Sequence, residues 1–277
     1  MDNQTISKKE IFRYLIFSLI IVIFIYFLQT RTNNTKLVFC DVGQGDAIYL
    51  RIKNKIDVLI DAGPAKSVLN CLGRHMPFWD KRIEIVFLTH HDRDHYQGFF
   101  EIIKRYQINN FFTIYYRFDS QTYKKLERKI KNKKINYQYV YKNQKLSVLN
   151  SDFLLLWPPK NLKTYDSNDY SLIIFYKEGK NKVLFTGDSS LTSLSLVLKE
   201  NFELIKNLKI MKIPHHGSKY SLNTQILKLA DPEIVVISVG KNNSYGHPDK
   251  KVIDMFEALK IKIKRTDLDG EVVFSLK

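Results

Sequence analysis

The sequence predicts an α/β protein in which two mixed β-sheets pack together under flanking helices, preceded by one apolar helix. Three observations carry that expectation. Strand-like runs come first in meander fashion and then alternate with helical stretches. Several apolar strands end in a burst of imidazole and carboxylate groups or in a tight glycine turn. A long uncharged run stands ahead of all of them.

Taken in order, residues 36–40, 47–52 and 57–60 alternate or run apolar and are broken by Gly43, Gly45 and Asn54, a strand followed by a hairpin. Ser67–His75 has helical spacing, 84–88 is a buried strand, 98–106 is helical and 111–116 extended. Strands resume at 153–157, 171–176, 183–185, 208–213 and 234–239, with helices expected at 191–198 and 222–229. A helix over 249–259 and strands at 261–265 and 271–275 complete the chain. There is no internal repeat and no low-complexity region.

From Tyr14 to Thr30 no residue is charged, the lower edge of the roughly 17–25 residues a spanning helix needs. Lys8, Lys9 and Arg13 precede the run, while Arg31 and Lys36 follow it, a slight bias for an N-terminus inside and the remainder outside. No small-residue cleavage site follows. The expected organisation is a cytoplasmic N-terminus over 1–10, a transmembrane signal-anchor over 11–30, a linker over 31–35 and one α/β domain over 36–277, extracellular.

The charge of +16, from 44 basic against 28 acidic residues, suits a polyanionic partner, nucleic acid or an anionic membrane face, and equally a lysine-rich solvated surface. Residues 117–145 concentrate it: ten Lys or Arg against Asp119 and Glu127, interleaved with Tyr123, Tyr137, Tyr139 and Tyr141. That mixture suits phosphate contact and base stacking, with Lys124, Lys125 and Arg128 as candidate substrate contacts. A solvated helix face over 121–131 is the plainer reading. Cys40 and Cys71 form no CxxC pair and are read as buried free thiols, with a single bridge open to an extracellular chain.

The chemistry gathers at strand ends. Residues 89–95 read Thr-His-His-Asp-Arg-Asp-His directly after the apolar run 85–88. Imidazole nitrogens and carboxylate oxygens delivered to one turn suit zinc, manganese or iron. Further strand ends carry VGQGDA at 42–47, TGD at 186–188, KIPHHGS at 212–218 and YGHP at 245–248. Six of the seven histidines fall inside these motifs, which argues against a scatter of surface histidines.

This set of motifs, in this order, resembles the metallo-β-lactamase-fold domain of the ComEC competence protein family over most of residues 36–277. The resemblance implies an αββα sandwich and a metal-dependent hydrolase, a nuclease or phosphodiesterase acting on DNA at the outer membrane face. In that family the domain follows a multi-span channel, so a separate channel protein is an expected partner here; the oligomeric state is open. It implies His90, Asp92, Asp94 and His95 as metal ligands, with His91 pointing away and Asp188 bridging two metals. One of His215 and His216 completes the set, with His216 preferred as ligand and His215 as catalytic group.

No histidine occurs between His95 and His215, so Asn168 or Asp169 is left to fill the corner a mid-chain histidine holds in many lactamases. That makes one corner oxygen-rich and favours manganese over zinc, with one or two ions bound. Asp94 is expected to orient the attacking water. Lys212 and His247 are expected to contact phosphate or protonate the leaving oxygen, with Ser218 near the substrate. Asp46 and Asp61 are read as supporting carboxylates. Two alternatives stand beside this reading: a small-molecule phosphodiesterase or esterase of phosphorylcholine type, and a DNA-capturing module without turnover.

Overall fold

The computed structural model describes residues 7–31, 34–116, 120–164 and 166–276. Residues 1–6, 32–33, 117–119, 165 and 277, on which parts of the expected N-terminus, linker and basic segment fall, lie outside the described residues. Among the described residues, fourteen strands form two sheets of seven. The first holds β1 (Thr35–Phe39), β2 (Ile48–Ile52), β3 (Ile56–Ile60), β4 (Arg82–Leu88), β5 (Gln107–Thr113) and β6 (Asn136–Tyr139), with β14 (Val272–Leu276) added beside β1. The second holds β7 (Gln144–Val148), β8 (Ser151–Trp157), β9 (Ile173–Glu178), β10 (Asn181–Phe185), β11 (Ile210–Lys212), β12 (Ile234–Ile237) and β13 (Lys262–Arg265) in sequence order.

The inner faces meet through Leu37, Phe39, Ile60 and Phe87 on one side and Phe153, Ile174, Val183 and Phe185 on the other, all buried. Burying side chains of this size is worth roughly 1.5–3 kcal/mol each, which is why the alternating strands choose these faces. The outer faces are covered separately. Helices α2 (Ser67–His75), α4 (Phe99–Arg105) and α5 (Gln121–Asn132), with the short turn α3 (Arg93–Tyr96), cover the first sheet. Helices α6 (Leu191–Glu200), α7 (Phe202–Ile205), α8 (Thr224–Ala230) and α9 (Lys250–Ala258) cover the second. The α/β sandwich expected from the strand pattern is the observed architecture.

Strand direction positions the site. β3, β4 and β5 run parallel, as do β10, β11 and β12. The C-terminal ends of β3, β4, β10 and β11 therefore open together at one pole, and each is followed by one of the polar motifs. The opposite pole carries the start of β1, the β2–β3 hairpin and the loop before β4. Lys36 pairs with Arg51 across β1 and β2, and the Lys53 N–H donates to Thr35 Oγ1 at 3.2 Å, which fixes the start of β1 at that end.

Three expectations change. Helix α1 (Lys8–Arg31) forms, but among the described residues no helix is long and apolar enough to cross a membrane. Its first turns carry Lys8, Lys9, Glu10 and Arg13, and the side chains of Tyr26 and 28–31 lie outside the description. The expected span over 11–30 is therefore not found. Cys40 and Cys71, expected as free thiols, form a disulfide with Cα atoms 5.8 Å apart. It ties the end of β1 to α2, and its sequence separation of 31 makes the cross-link worth about 3–4 kcal/mol against the unfolded chain.

The basic segment also resolves differently. It folds as α5 followed by β6 and β7, the two sheet-edge strands that alternation in polar residues concealed. Tyr123 and Tyr137 are packed inward, Tyr123 stacked on His91 (3.8 Å between centroids) and Tyr137 on Phe111 (5.7 Å), so neither offers a ring to a base.

A candidate metal centre at one pole of the sandwich

The loop after β4 carries most of the centre. Thr89 and His90 follow directly on the end of β4, and α3 then turns Asp94 and His95 back over that end. This loop is braced by the first motif, where the Asp46 N–H donates to the Asp94 carbonyl at 3.2 Å. Gly45 permits that approach: its φ is +133°, and a Cβ there would sit 2.2 Å from the Asp94 carbonyl oxygen. Any side chain at position 45 would push the loop away.

Asp94, His95, Asp188 and His216 converge, with their ligand atoms all within 4.8 Å of one another. His95 Nε2 lies 3.4 Å from Asp188 Oδ2, and His216 Nε2 lies 3.3 Å from the same oxygen and 3.2 Å from Asp94 Oδ2. His90 and Asp92 form an adjoining corner. The His90 ring is 4.1 Å from that of His95, and its Nε2 is 3.5 Å from Asp92 Oδ2.

One regularity ties the three rings together. His95 Nδ1–H donates to Asp61 Oδ2 at 2.8 Å, and His216 Nδ1–H donates to the Ser238 carbonyl at 2.8 Å. The Thr89 hydroxyl donates to Asp61 Oδ2 at 2.7 Å, so its oxygen accepts from His90 Nδ1 at 3.0 Å. In each histidine Nδ1 is committed to an acceptor, which leaves the Nε2 lone pair for a cation. The Nε2 atoms of His90 and His95 are buried without a hydrogen-bond partner. Buried polar atoms are rarely left so. Unpartnered imidazole nitrogens facing carboxylates fit a divalent metal.

Charge supports the same reading. Burial disfavours a charged His95, yet Asp188, Asp61 and Asp94 outweigh it and hold its pKa well above the ordinary value. His216 is likewise opposed by burial but pushed up to about 10 by Asp188, Asp94 and Asp46. Asp94 is disfavoured as an anion by burial but brought down to about 2 by His95 and His216. Without a cation, two imidazolium protons neutralise this pocket of carboxylates. A bound cation displaces them, so loading releases protons.

Beneath the centre, Lys212 is fully buried. Its ammonium pairs with Asp46, donates to the Gly187 carbonyl at 2.8 Å and lies 3.4 Å from Asp188 Oδ1. Burial lowers its pKa, but Asp46 and Asp188 more than reverse the effect. A fully enclosed lysine with a raised pKa holds Asp188 in place and is a poor proton donor to a leaving group. This is a different placement from the substrate contact expected of it.

His215 and His216 both adopt left-handed backbone (φ 48° and 53°), as does Gly217 (φ 84°). Such residues cost of order 1–3 kcal/mol and persist where the surroundings fix them. The result is that neighbouring rings diverge, 6.2 Å apart and 76° between planes. His216 enters the cluster. His215 turns towards His247, 5.8 Å away, and burial lowers the pKa of both, so both are neutral near pH 7.

The other expected residues are placed less directly. His91 packs away from the centre, stacked on Tyr123, with burial lowering its pKa to about 3. Both carboxylate oxygens of Asp169 accept hydroxyls, from Ser190 and from Thr164 at 2.7 Å, so Asp169 is used within the fold. Asn168 Oδ1 is buried and unpartnered. Ser218 is buried, its hydroxyl oxygen accepting from the Tyr220 N–H at 3.4 Å. Lys125 and Arg128 lie on the solvent face of α5, and Lys124 beside them is half-buried, whereas Tyr123 on the inner face touches His91. A further grouping of Cys71, His75 and Glu271 is no metal site, since the sulfur is in the disulfide. Sequence reasoning did not reach the Thr89 hydroxyl or the Ser238 carbonyl. A threonine directly before the His-rich turn was the one available signal.

Comparison with known proteins bears on the fold and on the motifs. The chain is 25% identical over its whole length to ComE operon protein 3 of Bacillus subtilis (strain 168), covering 37% of that protein. It is 25% identical to Recombination protein 2 of Haemophilus influenzae (92% of this chain, 31% of that one). It is 26% identical to Competence protein ComA of Neisseria gonorrhoeae (88% and 33%). The chain thus spans about a third of the length of these curated relatives. Among solved structures, the metallo-beta-lactamase fold protein YhfI from Bacillus subtilis superposes with a TM-score of 0.60 over 88% of this chain and all (100%) of its own, at 12% identity. CmlA, a diiron beta-hydroxylase from Streptomyces venezuelae, gives 0.61 over 88% of this chain and 54% of its own, at 15% identity. These likenesses concern the fold. The sequence profile of the metallo-beta-lactamase superfamily matches residues 40–241, a stretch holding every member of the cluster from Asp94 to His216, and the chain belongs to that superfamily.

Proposed function

We propose that the protein is a metal-dependent hydrolase that cleaves phosphodiester bonds in DNA outside the cytoplasm. The observation that carries this reading is the convergence of Asp94, His95, Asp188 and His216 with unpartnered imidazole Nε2 atoms beside them. His90 and Asp92 would hold a second ion beside the first through one imidazole nitrogen and one carboxylate oxygen. A divalent cation in this centre supplies Lewis-acid charge and acidifies water near neutral pH. The chain's own groups do the rest. Lys212 fixes Asp188, and Asp61 orients His95 directly and His90 through Thr89. Asp94, a carboxylate beside that cation, would accept the proton of an attacking water. His215 and His247, neutral at the rim, are placed to hydrogen-bond the substrate phosphate, and the departing oxygen takes its proton from water.

Three features support DNA and an external location. The relatives named above include competence proteins and a recombination protein. The net charge of +16 suits a polyanion. A Cys40–Cys71 disulfide suits an oxidising compartment. The described apolar side chains of α1, from Ile11 to Ile25, are exposed at consecutive positions and hence on all its faces. A helix uncovered all round suits contact with lipid, and we include membrane association of α1 in the proposal, with a separate channel protein as a further partner.

The decisive test incubates the full chain with labelled single- and double-stranded DNA and Mn²⁺ or Zn²⁺, beside Asp188→Asn. Cleavage abolished in the variant is the expected result. Binding of DNA without cleavage under either metal would replace this reading with a capturing module. Turnover confined to a small chromogenic diester would replace it with a small-molecule phosphodiesterase.

A further inference from the structure

The pole opposite the metal centre has a composition of its own. The loop between α2 and β4 projects Phe78 and Trp79, 74% and 40% exposed, their rings edge-to-face at 4.8 Å. Large aromatics this exposed on a loop tip make a poor solvent surface. Around them lie Lys55 on the β2–β3 hairpin, Lys81 and Arg82 at the start of β4, and Arg105 at the end of α4, which with Trp79 line one surface cleft. All four cations are exposed and make no ion pair among the described residues, and Lys81 Nζ lies 5.4 Å over the Tyr106 ring. Two acids, Asp80 and Glu84, line the same cleft, and both are engaged by neighbours. Asp80 receives Arg51 at 3.1 Å and the Arg82 N–H at 3.2 Å, while Glu84 accepts the Asp57 N–H at 2.8 Å. An aromatic tip inside a collar of exposed cations that make no ion pair matches the layered chemistry of an anionic bilayer surface, where Trp sits at headgroup level and Lys and Arg meet phosphate.

Chain connectivity points the same way. Helix α1 ends at Arg31 and β1 begins at Thr35, which lies at this pole. Four residues reach at most about 14 Å, so lipid holding α1 lies close to this end of the domain. The metal centre is at the far end of β4, whose seven residues span roughly 20–23 Å.

We infer that this pole is a lipid-docking surface: Phe78 and Trp79 enter the headgroup layer of an anionic membrane, and Lys55, Lys81, Arg82 and Arg105 contact its phosphates. The docked domain is held upright, with the metal centre facing away from the bilayer towards incoming polymer. This orientation extends the membrane association of α1 proposed above, and the two can fail separately.

The chain has two tryptophans, and the second, Trp157, is buried. The full-length protein is therefore mixed with vesicles of phosphatidylcholine and phosphatidylglycerol carrying brominated acyl chains, beside a Trp79→Phe variant. Flotation is measured on the same samples. The expected result is that bromolipid quenches most of the emission lost in Trp79→Phe and leaves the remainder untouched. Lys81→Glu with Arg82→Glu should reduce the docked fraction about fivefold per cation removed, since each basic residue near such a surface contributes about 1 kcal/mol. Hydrolysis of a soluble diester should not change in that variant. Protein that floats while Trp79 escapes quenching overturns the docking surface and leaves α1 in lipid. Protein that does not float overturns both.

Discussion

The two corners of the candidate centre are built to different standards. Asp94, His95, Asp188 and His216 offer four ligands, three of them buried, held from behind by Asp61, Ser238 and Lys212. The neighbouring corner has His90 and Asp92, and the Asp92 side chain is 39% exposed. Both belong to one loop seven residues long. What separates them is the number of elements that contribute: the first corner draws on the ends of β4, β10 and β11, the second on the β4 loop with Asp188 as its one expected ligand from elsewhere. Ligands from three strands are fixed by the core, whereas ligands from a single turn move with that turn. A tight first ion and a weaker second one follow.

The sharpest way to break this comparison is to remove the residue expected to serve both corners. Asp188→Asn should lower diester hydrolysis by on the order of 10³ or more and weaken both ions, measured by turnover and by metal titration. Loss of one ion alone would show that Asp188 belongs to one corner. Next in size is Asp61→Ala, which leaves every ligand in place but frees His95 and, through Thr89, His90. Metal affinity should fall about 10–100-fold at both corners in a calorimetric titration.

Asp92→Ala should act on one corner only, removing the weaker ion while the stronger still binds with its original affinity. An equal loss of both would show that the corners are not independent. The smallest effect concerns proton linkage in chelated protein. His95 and His216 have raised pKa values in the fold, so their contribution to stability is complete below about 6.5 and is lost as pH rises, for His216 towards about 10. Asp94 and Asp188 have lowered values, so their contribution is present above the ordinary carboxylate range and lost on acidification. The chelated protein should therefore show its highest Tm between about pH 4 and 6.5 and lose stability from there to pH 10. Added metal should reverse the alkaline decline.

Much of this centre was legible because parallel strands end together, so that motifs far apart in sequence meet at one pole. Residues 89–95, 186–188 and 212–218 needed only to be recognised as strand ends. What stayed hidden depended on partners that spacing does not announce. Lys212 reads as a phosphate contact or proton donor until Asp46, from a distant motif, is found against it. Tyr123 reads as a nucleic-acid contact because a basic amphipathic helix displays its charges in sequence but not which face turns inward. β6 and β7 escaped notice since edge strands are half solvated and carry little apolar alternation. The disulfide joins a strand end to a helix across 31 residues, a distance only the fold makes short.

The arrangement around Asp61 has one further consequence. Because His95 hangs from this carboxylate directly and His90 through the Thr89 hydroxyl, a displacement of Asp61 carries both rings in the same direction. Errors in the loop thus enter as common-mode motion, and the spacing between the two Nε2 atoms is preserved while the pair drifts as a unit against Asp188.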